Sequence, residues 1–169
     1  EIIEKHYIEK IKTIGDAYMC AGGLPMKNYS NPFDVTLASL EIQKFVQGMA
    51  IEKEARGERP WELRLGIHTG EVMAGVIGSK KFAYDIWGNT VNIAARMEET
   101  GQKGRVNISG ATYEFIKDYF ECTYRGKVRM KNNPEEVDMY FVNRLKPEYC
   151  EDKEGIRPNA SFRRILATY

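Results

Sequence analysis

The sequence has few of the residues that build metal clusters or disulfide frameworks. Its 169 residues include three cysteines and two histidines. Cys20, Cys122 and Cys150 are odd in number, lie far apart and match no C-x-x-C spacing. We therefore expect three free thiols in a reducing compartment. His6 and His68 are likewise too isolated to predict a metal site.

Charge bias and long apolar runs are also lacking. The chain has 25 basic and 24 acidic residues, a net charge of +1, so electrostatics gives no reason to expect a nucleic acid or membrane partner. No apolar run approaches the roughly 18 residues that a transmembrane helix requires. With 43% hydrophobic residues, the chain can bury the core of one domain. We expect a soluble, cytoplasmic domain.

The first half of the chain predicts a hairpin followed by a long helix. Residues 8–14 and 17–21 read as strands around a tight turn at Gly15 and Asp16. The pattern then predicts a helix from Asn31 to about Arg56, with Asn31 as its N-cap. Its expected apolar stripe consists of Val35, Ala38, Ile42, Phe45, Val46 and Met49.

Strands and helices alternate in the second half. Residues 63–68 and 72–77 predict a strand pair joined at 69–71. Further strands are expected at 82–87, 105–108, 122–130 and 137–142, and helices at 90–100 and at 111–119, the latter capped by Ser109. This order predicts an α+β fold with helices packed against a mixed sheet. We expect one domain over residues 1–146 and a tail over 147–169.

Two stretches identify a family resemblance. Residues 8–18 read IEKIKTIGDAY, and residues 83–96 read AYDIWGNTVNIAAR. Together they resemble the catalytic domain of class III nucleotide cyclases, adenylyl type, which make 3′,5′-cyclic monophosphates from ATP or GTP. The resemblance extends from about Ile8 to Val142. It implies a ferredoxin-like α/β sandwich, with a mixed and mostly antiparallel sheet flanked by helices, that works as a head-to-tail homodimer.

The resemblance implies a metal site with two divalent ions, Mg²⁺ or Mn²⁺. Asp16 matches one of the family's two metal-binding aspartates, and an exposed turn carboxylate suits Mg²⁺. The second aspartate belongs to a first strand that resembles F-x-D-I-x-G-F. That strand should precede Glu1, so the sequence as numbered supplies half of the metal site.

Lys12 and Asp85 match the two positions at which the family reads the base. Adenine presents an amino donor at N6 and an acceptor at N1, which suit a carboxylate and an ammonium group respectively. Guanine presents the reverse at those two places, and guanylyl cyclases resemble one another in having Glu and Cys there. The pair therefore predicts ATP as the substrate.

The remaining matched residues are implied to contact ribose and phosphates. Asn92 would orient the ribose, and Arg96 would stabilise charge on the phosphates in the transition state. Lys131 and Lys80 match basic residues near the phosphates. The loop after Lys131 departs from the family, because it reads NNPEE where many relatives have a glycine-rich turn.

These residues predict an adenylyl cyclase catalytic domain for intracellular signalling, fused to regulatory domains outside this chain. Two alternatives stay open. One is a guanylyl or dual-specificity cyclase, against which Lys12 and Asp85 argue. The other is a non-catalytic regulatory or dimerisation domain, which an absent first aspartate would favour.

Overall fold

Helices and strands alternate along the chain, as the sequence predicts. The computed structural model describes residues 1–131 and 134–169. The helices are α1 (Ile2–Lys5), α2 (Asn31–Ala55), α3 (Asn89–Glu99), α4 (Gly110–Ile116) and α5 (Ala160–Leu166), with a 3₁₀ turn at Pro147–Tyr149. The strands are β1 (Ile8–Ile14), β2 (Ala17–Gly22), β3 (Leu65–Ile67), β4 (Met73–Ile77), β5 (Ala83–Trp87), β6 (Val106–Ser109), β7 (Phe120–Arg129) and β8 (Glu136–Leu145).

A four-stranded mixed sheet organises the core. Its strand order is β3-β6-β8-β7, with β3 parallel to β6 and the other pairs antiparallel. All four residues of β6 are buried, as expected for a central strand covered on both faces. The main cluster of buried apolar side chains comprises Phe33, Leu37, Leu40, Ile67, Val106, Ile108, Ile116, Phe120, Val142, Leu145 and Phe162.

Two antiparallel hairpins, β1-β2 and β4-β5, form separate two-stranded sheets. The first turns at Gly15 and Asp16 as predicted, and Gly15 takes the positive φ of 60° that glycine tolerates best. The predicted pairing of residues 63–68 with 72–77 is wrong. β3 pairs with β6, which lies about 40 residues later, and β4 pairs with β5. Periodicity locates a strand but does not identify its partner.

The long helix α2 ends at Ala55 as predicted, but its cap and its apolar stripe differ from the prediction. Ser30 is the N-cap, and the Asn31 amide instead donates to the carbonyl of Asn28 at 2.6 Å. The first half of α2 is buried on nearly all sides, so no single stripe describes it. Phe45, predicted to be in the stripe, is 59% exposed.

The C-terminal segment packs onto the domain. Phe162 of α5 is fully buried, and its ring lies 5.4–6.2 Å from the rings of Phe33, Tyr119, Phe120 and Tyr149. Asn159 caps α5 by accepting a hydrogen bond from the Phe162 amide. The division of the chain at residue 146 stays a prediction, although the tail shares the core of the residues before it.

Candidate functional site: the Lys12–Asp85 pair and the exposed face of helix α3

The fold brings Lys12 of β1 next to Asp85 of β5. The Lys12 ammonium donates to Asp85 Oδ2 at 2.7 Å, and the Ile86 amide donates to Asp85 Oδ1 at 2.8 Å. Asp85 is 7% exposed. The Lys12 hydrogen bond, with the Ile86 amide, holds the pKa of Asp85 below its usual value. The result is a donor beside an acceptor, and the role of this pair in reading the base stays a prediction.

Helix α3 is fixed against the sheet by its inner face. Ile93 and Met97, four residues apart, are both buried and share one face of the helix. The buried Asn107 amide of β6 donates to the Met97 carbonyl at 2.8 Å. Gly66 of β3 lies against the backbone of residues 97–98, where its missing side chain permits close approach. These contacts set the position of the outer face of α3.

Arg96 lies on that outer face and is held by two acceptors. Its Nε donates to the carbonyl of Arg129 at the end of β7, at 3.1 Å, and its Nη1 contacts Glu99 Oε2 at 3.2 Å. Asn92, one turn earlier, is exposed. Its side chain makes no hydrogen bond within the described residues and is available to a ligand.

Lys131 joins the same cluster through Glu99. The Lys131 ammonium donates to Glu99 Oε1 at 2.8 Å. Lys131 and Arg96 together hold the pKa of Glu99 below its usual value, Lys131 having the larger effect. Sequence analysis missed Glu99, although its position three residues after Arg96 signals an i,i+3 pair. Asn132 and Asn133 lie outside the described residues.

Asp16 and Lys80 lie at exposed sites. Asp16 occupies the tip of the β1-β2 hairpin, and Lys80 lies in the loop between β4 and β5. Over residues 1–131 and 134–169, no three His, Cys, Asp or Glu side chains form a group that could hold a metal ion. Asp16 can therefore give one carboxylate ligand, which fits Mg²⁺ bound partly by phosphate oxygens.

His68 is a half-buried side chain directly after β3. Its Nδ1 lies 2.7 Å from Ser109 Oγ, and burial lowers its pKa. Ser109 also caps α4 by accepting a hydrogen bond from the Thr112 amide. The three cysteines are free, as expected.

Comparison with known sequences decides the family. The protein family described as "Adenylate and Guanylate cyclase catalytic domain" matches residues 1–144 of this chain. The chain belongs to the class III adenylyl and guanylyl cyclase family. Its fold is the class III cyclase fold, as the resemblance implied.

The relatives of this cyclase domain include both adenylate and guanylyl cyclases. An adenylate cyclase of Mycobacterium tuberculosis is 37% identical over 95% of this chain and 35% of its own length. Human guanylyl cyclase C is 37% identical over 87% of this chain and 14% of its own length. The chain thus spans about a third or less of these relatives.

A solved structure gives the same result at the level of the fold. The guanylate cyclase domain from Catenaria anguillulae, in complex with GTP, superposes with a TM-score of 0.77 at 31% identity. The superposition covers 86% of this chain and 77% of that one. In the described part of the cyclase domain, no helix combines the length and apolar character needed to span a membrane.

Proposed function

We propose that this cyclase domain converts ATP to 3′,5′-cyclic AMP and pyrophosphate at the interface of a symmetric homodimer, with two Mg²⁺ or Mn²⁺ ions. The observation that carries the choice of ATP is the Lys12–Asp85 pair at 2.7 Å. Membership of the cyclase family supports the class of reaction, the cyclisation of a nucleoside triphosphate.

The pair complements adenine. When the two side chains part to admit a base, the Asp85 carboxylate can accept from the N6 amino group while the Lys12 ammonium donates to N1. Guanine would place its N1–H donor against the ammonium and its O6 acceptor against the carboxylate. Each mismatched and desolvated group costs about 1–3 kcal/mol, which favours ATP.

The outer face of α3 supplies the phosphate contacts in this proposal. Arg96 stabilises the charge that develops on the phosphates as the ribose 3′-oxygen attacks the α-phosphorus and pyrophosphate leaves. Its planar guanidinium can grip two phosphoryl oxygens at once and stays charged. Lys131 and Lys80 contact the terminal phosphates, and the unengaged Asn92 amide orients the ribose.

Asp16 is proposed as one protein ligand of the metal ions. When bound, such ions acidify the 3′-hydroxyl and neutralise the leaving group. The chain's own cations supply the rest of the electrostatic stabilisation.

An exposed apolar surface on the β4-β5 hairpin supports the homodimer. Met73, Val76, Phe82 and Trp87 are each at least 39% exposed. Concentrated apolar exposure on one hairpin is characteristic of a protein interface. A second copy would cover it and bring the Asp16 turn of one subunit to the α3 face of the other. We further propose that regulatory domains outside this chain control the dimer.

Exchange of the base-reading pair tests the proposal. The purified protein is assayed with ATP and GTP plus Mn²⁺, and the products are identified by mass spectrometry. Wild-type protein should make cyclic AMP with the higher kcat/KM. The double variant Lys12→Glu, Asp85→Cys should lower the ATP/GTP ratio of kcat/KM by about a hundredfold or more.

A matched control separates base reading from loss of an ion pair. The surface pair of Lys103 and Glu62 is changed in the same way, to Lys103→Glu with Glu62→Cys. This control should leave the ATP/GTP ratio of kcat/KM unchanged. A wild-type preference for GTP would favour the guanylyl alternative, which the similarity to guanylyl cyclase C supports. An unchanged ratio in the double variant would show that Lys12 and Asp85 do not face the base.

A further inference from the structure

Two of the cations assigned to the phosphates, Arg96 and Lys131, are both bound to one carboxylate. Glu99 Oε2 lies 3.2 Å from Nη1 of Arg96, and Glu99 Oε1 lies 2.8 Å from the ammonium of Lys131. Each oxygen of Glu99 therefore serves one cation. Arg96 comes from α3, whereas Lys131 follows β7, so Glu99 joins two elements of the candidate site.

We propose that the Glu99 carboxylate occupies the place of phosphate in the nucleotide-free protein and is displaced when the triphosphate binds. This inference rests on the proposed function, which assigns Arg96 and Lys131 to the phosphates. Carboxylate and phosphate oxygens are interchangeable partners for guanidinium and ammonium groups. Glu99 therefore keeps the two cations close together and competes with the substrate for them.

Helix physics does not account for a glutamate at this position. Glu99 is the last residue of α3, where the helix dipole disfavours a negative charge. Its partner Arg96 lies three residues before it, and an acidic residue placed after its basic partner is the less favourable order. The favourable contacts of the Glu99 carboxylate are those with Arg96 and Lys131.

The cluster can exchange Glu99 for a phosphate group at small cost. The side chains of Glu99 and Lys131 are 41% and 63% exposed, and exposed ion pairs are weak. A triphosphate brings several negative charges against the single charge of Glu99. Arg96 also keeps its Nε hydrogen bond to the Arg129 carbonyl, so its guanidinium stays in place while Nη1 is released.

Neutralising Glu99 tests the exchange. Glu99→Gln should tighten binding of inorganic pyrophosphate with Mg²⁺, measured by calorimetry, by roughly two- to tenfold because two weak ion pairs no longer compete. KM for ATP should fall by a similar factor, and kcat should change less. Glu99→Asp, which keeps the charge, should restore affinity towards the wild-type value.

Glu98 gives a matched control on the same helix. Its carboxylate pairs with Arg64 at 2.9 Å, away from Arg96 and Lys131. Glu98→Gln should leave pyrophosphate affinity and KM unchanged. If Glu98→Gln changed pyrophosphate affinity as much as Glu99→Gln does, the effect would come from the loss of a negative charge in general, and the exchange would be overturned. Weaker pyrophosphate binding in Glu99→Gln, or a fall in kcat with unchanged affinity, would also overturn the exchange.

The two measurements separate this inference from the proposed function. If wild-type protein makes cyclic AMP and Glu99→Gln leaves the pyrophosphate affinity unchanged, the role of Glu99 is wrong and the function stands. If no cyclic AMP forms while Glu99→Gln still tightens pyrophosphate binding, the role of Glu99 stands and the function is wrong. A wild-type protein that binds no pyrophosphate would overturn the role of Glu99.

Discussion

Replacing Gly66 by alanine should separate β3 from α3 and disable the site without touching a site residue. A Cβ at Gly66 would lie 2.0 Å from the backbone nitrogen of Glu98 and 2.6 Å from its Cα. Ordinary contact begins at 3.4 Å, so strand and helix would have to move apart by about 1.4 Å. Both partners are backbone, so no side chain can rotate away.

The magnitude follows from that displacement. Overpacking a core costs about 1–3 kcal/mol, and contact between two backbones places Gly66→Ala at the upper end of that range. A shift of about 1 Å in a catalytic group can lower the rate about a hundredfold. Arg96 on α3 would be shifted by this amount, so we expect both effects together.

The assay is urea denaturation combined with turnover under conditions where the variant is folded. Gly48→Ala is the matched control, since nothing lies within 4 Å of its Cβ and it lies within α2. It should raise the free energy of unfolding by about 0.4–1 kcal/mol and leave turnover unchanged. A Gly66→Ala variant with wild-type denaturation midpoint and turnover would refute the packing argument.

Two further predictions concern the dimer and the half-buried His68. A purified heterodimer of one Asp16→Ala subunit and one Arg96→Ala subunit should have about half of wild-type turnover, since one of its two sites is intact. Each homodimeric variant should be inactive. An inactive heterodimer would contradict a site shared between subunits. Burial lowers the pKa of His68 below 6.5 and outweighs the raising effect of Glu135. The unfolded chain therefore binds more protons than the folded protein near this pH. As a result, the free energy of unfolding decreases as pH falls through 6.5. His68→Gln should reduce this decrease, measured by urea denaturation above and below pH 6.5, and an unchanged slope would show that His68 is not responsible.

Local sequence was sufficient for elements whose causes are local. The β1-β2 hairpin follows from a glycine turn between two β-rich runs, and the Ser109 cap follows from one side chain and the amide three residues later. The order of residues in α3 likewise places Asn92 and Arg96 on one face, because the helical repeat fixes it. The family resemblance came from such short stretches, and the match of the cyclase family to residues 1–144 confirms it.

Contacts between distant parts of the chain required the tertiary structure. Lys12 and Asp85 are 73 residues apart and meet at 2.7 Å because β1 and β5 lie side by side. β3 pairs with β6 and not with β4, and the first half of α2 is buried on nearly all sides. In both cases, contacts with neighbouring elements override the local pattern. The contact of Glu99 with Arg96 is local, whereas its contact with Lys131 exists only because Lys131 follows β7. The sequence determined which chemical groups the site contains, whereas packing decided which of them face one another, since distances across a fold depend on every element between them.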